Sequence, residues 1–305
     1  MKHLLTIDEL SRDEVRGILQ RAISLRTRPE PELLRGRTLC CLFEKPSLRT
    51  RVSFEQAMRK LGGNAMSMGQ GEVGIGGRES PEDVARVLSS MVDGIMARVF
   101  DHATLVRMAA VSAAPIVNGL SDLAHPAQAL ADALTMIDEF CPGSADGLEG
   151  RTVAFVGDGN NVARSLMEIC AKLGMRFILC SPDDYAFPQG WFDDMLRRYP
   201  GMQASMVRDP GEAVLRADAV CCDTFVSMGQ ESEKAARLEI FRRYQVNQQL
   251  VAQAPRHAIV LHCLPAYRGV EITDDVMDGP RSRVFQQARN RLDAQMGLLA
   301  TLLGR

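Results

Sequence analysis

Apolar, strand-like runs and helical stretches alternate along this chain from about residue 37 to its last helix. No other feature limits the fold as much. Strands separated by helices run parallel to one another, which selects an α/β class with mainly parallel sheets. In the first half, strands are expected near 37–43, 64–68, 93–99 and 115–118. Helices near 50–61, 80–91, 102–111 and 126–139 separate them. The breaker-rich stretch 141–147 then interrupts the pattern and reads as a linker. Beyond it the alternation restarts, with strands at 152–156, 176–180, 217–222 and 258–261. A helix at 161–173 and an amphipathic last helix at about 284–303 complete the second half. Two domains follow, consistent with 305 residues. The glycine-rich stretch 69–78 reads as a mobile loop.

Composition excludes several classes of partner. A net charge of −2 gives no electrostatic case for nucleic acid or an anionic membrane. No apolar run approaches the roughly 20 residues of a membrane span. The first residues lack a signal-peptide core, so a cytoplasmic location is expected. Two of the eight-cysteine set's pairs, Cys40-Cys41 and Cys221-Cys222, are adjacent within apolar runs. Strand neighbours point to opposite faces, so most cysteines read as buried thiols. No clustered metal-ligand spacing is present, and no cofactor or metal is expected.

Polar residues stand out in five places. Ser47-Leu48-Arg49-Thr50-Arg51 opens a helix directly after the first strand. Backbone N–H groups at a helix N-terminus hold anions, and the arginines add charge-assisted donors. The plainer reading is an N-cap followed by solvated arginines. The other segments are Asp122–Gln128, Gly157-Asp158-Gly159-Asn160-Asn161, Asp223–Gly229 and His262-Cys263-Leu264-Pro265-Ala266. Gly-x-Gly after a strand suggests a dinucleotide site, but Val162 stands where the third glycine belongs. Asp183 and Asp184 are both available as the acidic residue expected about 20 positions on. Asn160 and Asn161 instead offer amides at a strand end, where open α/β sheets bind ligands. Arg98 ends a strand and needs a counter-ion or an anionic ligand. His125 is a helix cap or a donor, and Cys263 a buried thiol or a site group. Asp223 at a strand end could fix an ammonium.

Together these segments resemble the carbamoyltransferases, with the resemblance running nearly end to end to Asn290-Arg291. Asp-x-x-x-Ser-Met-Gly at 223–229 and His-Cys-Leu-Pro at 262–265 resemble the ornithine-specific branch. The resemblance implies two doubly wound domains, with a carbamoyl-phosphate-binding domain at 1–140 and an ornithine-binding domain at 150–283. The last helix, 284–305, is expected to pack back on the first. It implies carbamoyl phosphate held by Ser47, Leu48, Arg49, Thr50, Arg98, His125, Gln128, Cys263, Leu264 and Arg291. Asn161, Asp223, Ser227 and Met228 would hold ornithine. Arg98, His125, Asp223, Cys263 and Arg291 would carry the chemistry, and Pro265 would be cis. The family's trimer is the expected assembly.

The sequence departs from the family pattern at specific positions. Leu48 replaces a threonine that contacts phosphate, as in some relatives acting on N-acylated ornithine. Gly74 replaces the Gln or His that reaches a neighbouring subunit's site, and Arg78 is the candidate substitute. Ala127 and Tyr267 replace a common Cys and His. The alternatives are a carbamoyltransferase for an N-acylated ornithine or a diamine, and a ligand-binding paralogue with weakened catalysis.

Overall fold

The computed structural model describes residues 1–226 and 231–304. The chain forms two compact units. The first comprises Met1–Leu134, Pro142–Ala145 and Arg289–Arg305, the second Thr135–Cys141 and Asp146–Ala288.

In the first unit, α1 (Arg12–Thr27) precedes β1 (Thr38–Phe43), α2 (Leu48–Lys60) and β2 (Asn64–Gly69). A single turn, α3 (Gln70–Val73), leads to α4 (Pro81–Ser89), β3 (Gly94–Arg98) and α5 (His102–Val111). The strand β4 (Ile116–Leu120) and the helix α6 (Pro126–Phe140) follow. The sheet is parallel, in the order β2-β1-β3-β4. Its central strands are apolar on both faces, as a sheet covered by helices requires. Cys40, Leu42, Ile95, Ala97, Leu105 and Met108 belong to that core. Ser11 and Glu14 start α1 with a reciprocal capping box.

In the second unit, β5 (Thr152–Val156), α7 (Asn161–Leu173) and β6 (Arg176–Cys180) lead to α8 (Gln189–Arg198) and β7 (Ala204–Val207). Then come α9 (Pro210–Val214), β8 (Ala219–Cys222), α10 (Lys234–Phe241) and α11 (Gln248–Val251). The strand β9 (Ile259–His262), α12 (Asp274–Met277) and α13 (Val284–Leu303) complete the chain. This sheet is also parallel, in the order β7-β6-β5-β8-β9. Phe225 stacks on Phe241 within its core, ring centroids 4.9 Å apart.

In both sheets the order reverses beside the unit's first strand. Crevices outside the C-terminal ends of strands form at such reversals. They fall between β1 and β3 in the first unit and between β5 and β8 in the second.

The last helix lies against the first unit. Arg26 of α1 donates to Asp293 at 2.7 Å and to Asn290 at 2.8 Å. Gly297 lets α13 approach α1 closely: a Cβ there would sit 2.4 Å from the carbonyl oxygen of Ile18. Residues 293–300 are all buried, so this stretch is buried on every side rather than amphipathic as the sequence pattern suggested. The glycine-rich stretch also differs from expectation. Gln70–Val73 forms a helical turn, held where the Glu72 carboxylate accepts from the Gly69 N–H at 2.6 Å. No described helix is long and apolar enough to cross a membrane. All eight cysteines are free thiols.

Candidate functional site

In the first unit, the end of β1 feeds directly into the N-terminus of α2. Ser47 caps that helix from an extended backbone, accepting from the Thr50 N–H at 3.4 Å. Its hydroxyl also meets the Thr50 hydroxyl at 3.0 Å. Leu48 is 75% exposed, so it can offer a ligand of this cluster only its backbone N–H. The carbonyl of Arg49 accepts from Ser53 at 2.6 Å, which fixes the first turn. Thr50 is fully buried. Across the strand reversal, Arg98 pairs in register with Phe43, placing its buried side chain at the end of β3.

Two helices close this cluster. Arg291 of α13 is buried and donates to the Thr50 hydroxyl at 2.8 Å and to Gln128 Oε1 at 3.1 Å. Gln128 in turn donates to Asp132, one turn along α6, at 2.8 Å. His125 precedes α6 and is buried. Burial, and then the guanidinium charges of Arg291, Arg98 and Arg49, hold its imidazole well below the usual histidine pKa. The ring is therefore neutral near pH 7 and can donate one N–H without adding charge. Ser47, Arg49, Thr50, Arg98, His125, Gln128 and Arg291 thus come together in one unit.

The second unit gathers the ends of β5, β8 and β9. Asp223 follows β8 and is buried. Its Oδ1 accepts from the Cys263 thiol at 3.0 Å, and its Oδ2 from the Asn160 amide at 2.9 Å. Asn160 also caps α7 through the N–H groups of Val162 and Ala163. Asn161 sits beside it, accepting from the Val162 N–H at 3.0 Å. Val162 stands where the third glycine of a dinucleotide fingerprint belongs, and the Asn160 side chain takes up the Val162 and Ala163 N–H groups at the start of α7.

Beyond Cys263, Leu264 adopts a left-handed backbone with φ of 60°, and the Leu264-Pro265 peptide is cis. The Leu264 N–H donates to His262 Nδ1 at 2.9 Å. That contact places the ring proton on Nε2, which faces Glu271 Oε1 at 3.2 Å. Both His262 and Glu271 are completely buried, so the turn rests on a fixed polar pair. Ser227 and Met228 lie outside the described residues. Arg78 is exposed, donating to the Glu72 carbonyl at 3.2 Å and lying 3.6 Å from Glu79. Gly74 has φ of 67°, and a Cβ there would come within 3.1 Å of the Arg78 Cβ. Among the described residues, no group of His, Cys, Asp and Glu could hold a metal ion.

Comparison with known proteins bears directly on this geometry. Residues 2–138 match the family model described as the aspartate/ornithine carbamoyltransferase carbamoyl-P binding domain. Residues 149–302 match its Asp/Orn binding domain. The chain belongs to the aspartate/ornithine carbamoyltransferase family. An ornithine carbamoyltransferase of Methanopyrus kandleri is 46% identical over 99% of this chain and 97% of its own length. One from Archaeoglobus fulgidus is 43% identical over the whole chain and 98% of its own length. The solved ornithine carbamoyltransferase of Pyrococcus furiosus superposes with a TM-score of 0.93 at 42% identity, covering 99% of this chain and 97% of that one.

Several residues of these two clusters escape a reading of the sequence. In the sequence Asn160 looks no different from Asn161, yet it is the Asn160 amide that meets Asp223. Asp132, which holds Gln128, carries only a weak signal: it lies four residues on, one helical turn away. The buried Arg237, and Glu271 as the partner of His262, carry no local signal, because their partners are distant in the chain or set by a turn.

Proposed function

We propose that the chain transfers the carbamoyl group of carbamoyl phosphate to the δ-amine of ornithine, releasing citrulline and phosphate. The observation that carries the phosphate side is the buried His125 with the buried Arg98 and Arg291 and with Arg49 around it, Arg291 bonded to Thr50 and Gln128. Positive charge of that density, Arg98 and Arg291 buried and Arg49 half-buried, favours an anion, and a phosphate dianion at the N-terminus of α2 supplies it. In this reading Ser47, Thr50 and the Leu48 N–H bind phosphate oxygens while Arg49 clamps bidentately. Arg98, Thr50 and His125 face the carbonyl oxygen, donating as negative charge develops on it. Gln128 accepts from the carbamoyl NH2 with its remaining lone pair, and the Leu264 carbonyl takes a second such bond. Arg291 holds Thr50 and Gln128 in place and contacts the substrate itself.

On the amine side, Asp223 takes the α-ammonium and Asn161 the α-carboxylate, with Ser227 and Met228 completing the recognition. Cys263 lies beside the attacking δ-nitrogen and is oriented by Asp223. The δ-ammonium first releases a proton. Its nitrogen then forms the C–N bond, the C–O bond to phosphate breaks with its electron pair leaving on phosphate, and the proton that the new C–N nitrogen sheds goes to the departing phosphate. Positioning and electrostatic stabilisation supply the acceleration. The assembly is a trimer in which Arg78 reaches the phosphate of an adjacent copy.

The test is product formation from carbamoyl phosphate against ornithine, N-acetylornithine and a diamine. Ornithine should be turned over best, and Asp223→Asn should abolish that turnover while carbamoyl phosphate still binds. Faster turnover of N-acetylornithine by the unmodified protein would overturn the ornithine assignment.

A further inference from the structure

The helix α6 carries a carboxylate that this mechanism leaves without a role. Every residue from 124 to 137 is buried, and Asp132 is the one acidic side chain among them. It is 3% exposed. A helix that had only to fill a core would place an apolar residue there, since aspartate is a poor helix former and its desolvation is costly. Asp132 instead accepts from Gln128 Nε2 at 2.8 Å, one turn back along the same helix. Gln128 is buried as well, so water does not compete for this bond.

A side-chain amide has two ends of nearly equal shape and opposite hydrogen-bonding character. The neighbours of Gln128 decide which end points where. A carboxylate only accepts, so Nε2 is the atom that faces Asp132. At the other end, Oε1 accepts from Arg291 Nη1 at 3.1 Å, and the same guanidinium reaches the Thr50 hydroxyl through Nη2 at 2.8 Å. Thr50 meets Ser47 at 3.0 Å at the start of α2. A continuous polar chain thus runs from Asp132 to the phosphate cluster, and all its members belong to the first unit. Arg291 also serves the substrate in the proposed mechanism, whereas the bond from Gln128 to Asp132 stays within one helix.

We infer that Asp132 is a positioning residue that makes the site select a carbamoyl group over an acyl group. By holding Nε2, it keeps Oε1 of Gln128 turned to the substrate as an acceptor. The NH2 of carbamoyl phosphate meets that oxygen as a donor. The methyl of acetyl phosphate has nearly the same shape and carries the same phosphate, but it leaves that lone pair unpaired. A site built to bond an N–H rejects the analogue that lacks it more strongly than shape alone allows. The inference rests on the assignment of Gln128 to the carbamoyl NH2. Ser47, Arg49 and Thr50 still hold the phosphate without Asp132, so its loss acts at the carbamoyl end.

Steady-state kinetics at a fixed ornithine concentration test it, with acetyl phosphate and inorganic phosphate as competitors of carbamoyl phosphate. In Asp132→Leu the KM for carbamoyl phosphate should rise by about fivefold or more. The Ki values of acetyl phosphate and inorganic phosphate should stay within about twofold, so the preference for the carbamoyl group shrinks. Asp132→Asn keeps an oxygen within reach of Nε2 and should recover most of that preference. Gln128→Ala should lose the preference too. The Gln128→Ala/Asp132→Leu pair should be no worse than Gln128→Ala, because the carboxylate acts through the amide. Should Asp132→Leu not fold, Asp132→Ala, which favours the helix, is read in the same way. KM and Ki do not depend on the fraction of molecules that fold, so a carboxylate that merely stabilises α6 would change yield and Tm and leave all three constants alone. Unchanged constants, or a KM and two Ki values that rise together, overturn the inference. Additive losses in the double variant overturn it as well. A Gln128→Ala protein that keeps the native preference instead overturns the assignment of Gln128 beneath it, and this inference with it.

Discussion

At the scale of single residues, the phosphate cluster depends on geometry as much as on charge. Arg49 stands in the first turn of α2, where a planar fork can meet two phosphate oxygens at once. Lysine keeps the charge and loses the fork. Arg49→Lys should therefore weaken carbamoyl phosphate binding by more than about 1.4 kcal/mol, tenfold in Kd. Isothermal titration of the folded variant measures this, and an unchanged Kd would remove Arg49 from the phosphate site. His125 makes a prediction about pH. Its pKa in the folded chain is depressed by burial and by the three arginines, while in the unfolded chain it is ordinary. Above the unfolded value, about 6.5, both states are neutral and the residue has no effect. As pH falls below that value, only the unfolded chain gains the proton, and the folded state loses relative stability. Tm should therefore fall below about pH 6.5, and His125→Gln should flatten that fall. His3 and His102 are also depressed by burial and act in the same direction, so the difference between the two proteins isolates His125.

At the scale of elements, the last helix brings Arg291 to the phosphate cluster, and its seat on α1 depends on a missing side chain. Gly297→Ala would press a Cβ against the backbone of Ile18 and Ala22, the nearest atoms 2.4 and 2.8 Å away. Overpacking against backbone costs about 1–3 kcal/mol, since neither helix can give by rotamer change. Denaturant unfolding should show that loss, and carbamoyl phosphate KM should rise because Arg291 lies on the same helix. A Gly297→Ala protein of undiminished stability would show that the helices can separate at no cost. Much of this architecture was readable in the sequence. Long apolar runs such as Leu39-Cys40-Cys41-Leu42 declare buried parallel strands, and the site motifs fall where those strands end. The site residues that share a motif, Ser47 with Thr50 and His125 with Gln128, were legible for the same reason. Less was legible where the signal is not local. The edge strand β7 has only four residues, all at least partly exposed, and gives almost no period. The capping box of Ser11 and Glu14 marks the start of α1, but the alternation of strands and helices begins only after it. Arg237, with Glu233 one turn away, reads as one more surface cation of a helix until its partners 79 and 12 residues away are known as well.

At the scale of the whole molecule, the proposed shared site turns on what does the work of the side chain that Gly74 lacks. The backbone answers part of it. With φ of 67° and the Arg78 Cβ crowding the position, Gly74 cannot be replaced by Gln or His without strain. Arg78 is 69% exposed at its side chain, and its nearest partners are a carbonyl oxygen and a loosely paired carboxylate, so it can swing outward at little cost. If it reaches the phosphate of an adjacent copy, Arg78→Ala should raise the KM for carbamoyl phosphate and leave the oligomer unchanged by sedimentation. Mixing two impaired proteins is the sharper test. One carries Arg98→Ala, which disables the site of its own chain. The other carries Arg78→Ala, which impairs the site of its neighbour. In mixed oligomers some sites receive both lesions, and others combine a native Arg98 with a native Arg78 from the adjacent copy. Those sites are wholly native, so activity should rise above the mean of the two parents after subunits are exchanged. Cis action makes the opposite forecast: each site then depends on one chain alone, and no mixture can exceed that mean. Activity that stays on the mean, in oligomers shown by mass to be mixed, would confine Arg78 to its own chain and leave the phosphate site to α2, β3 and α13.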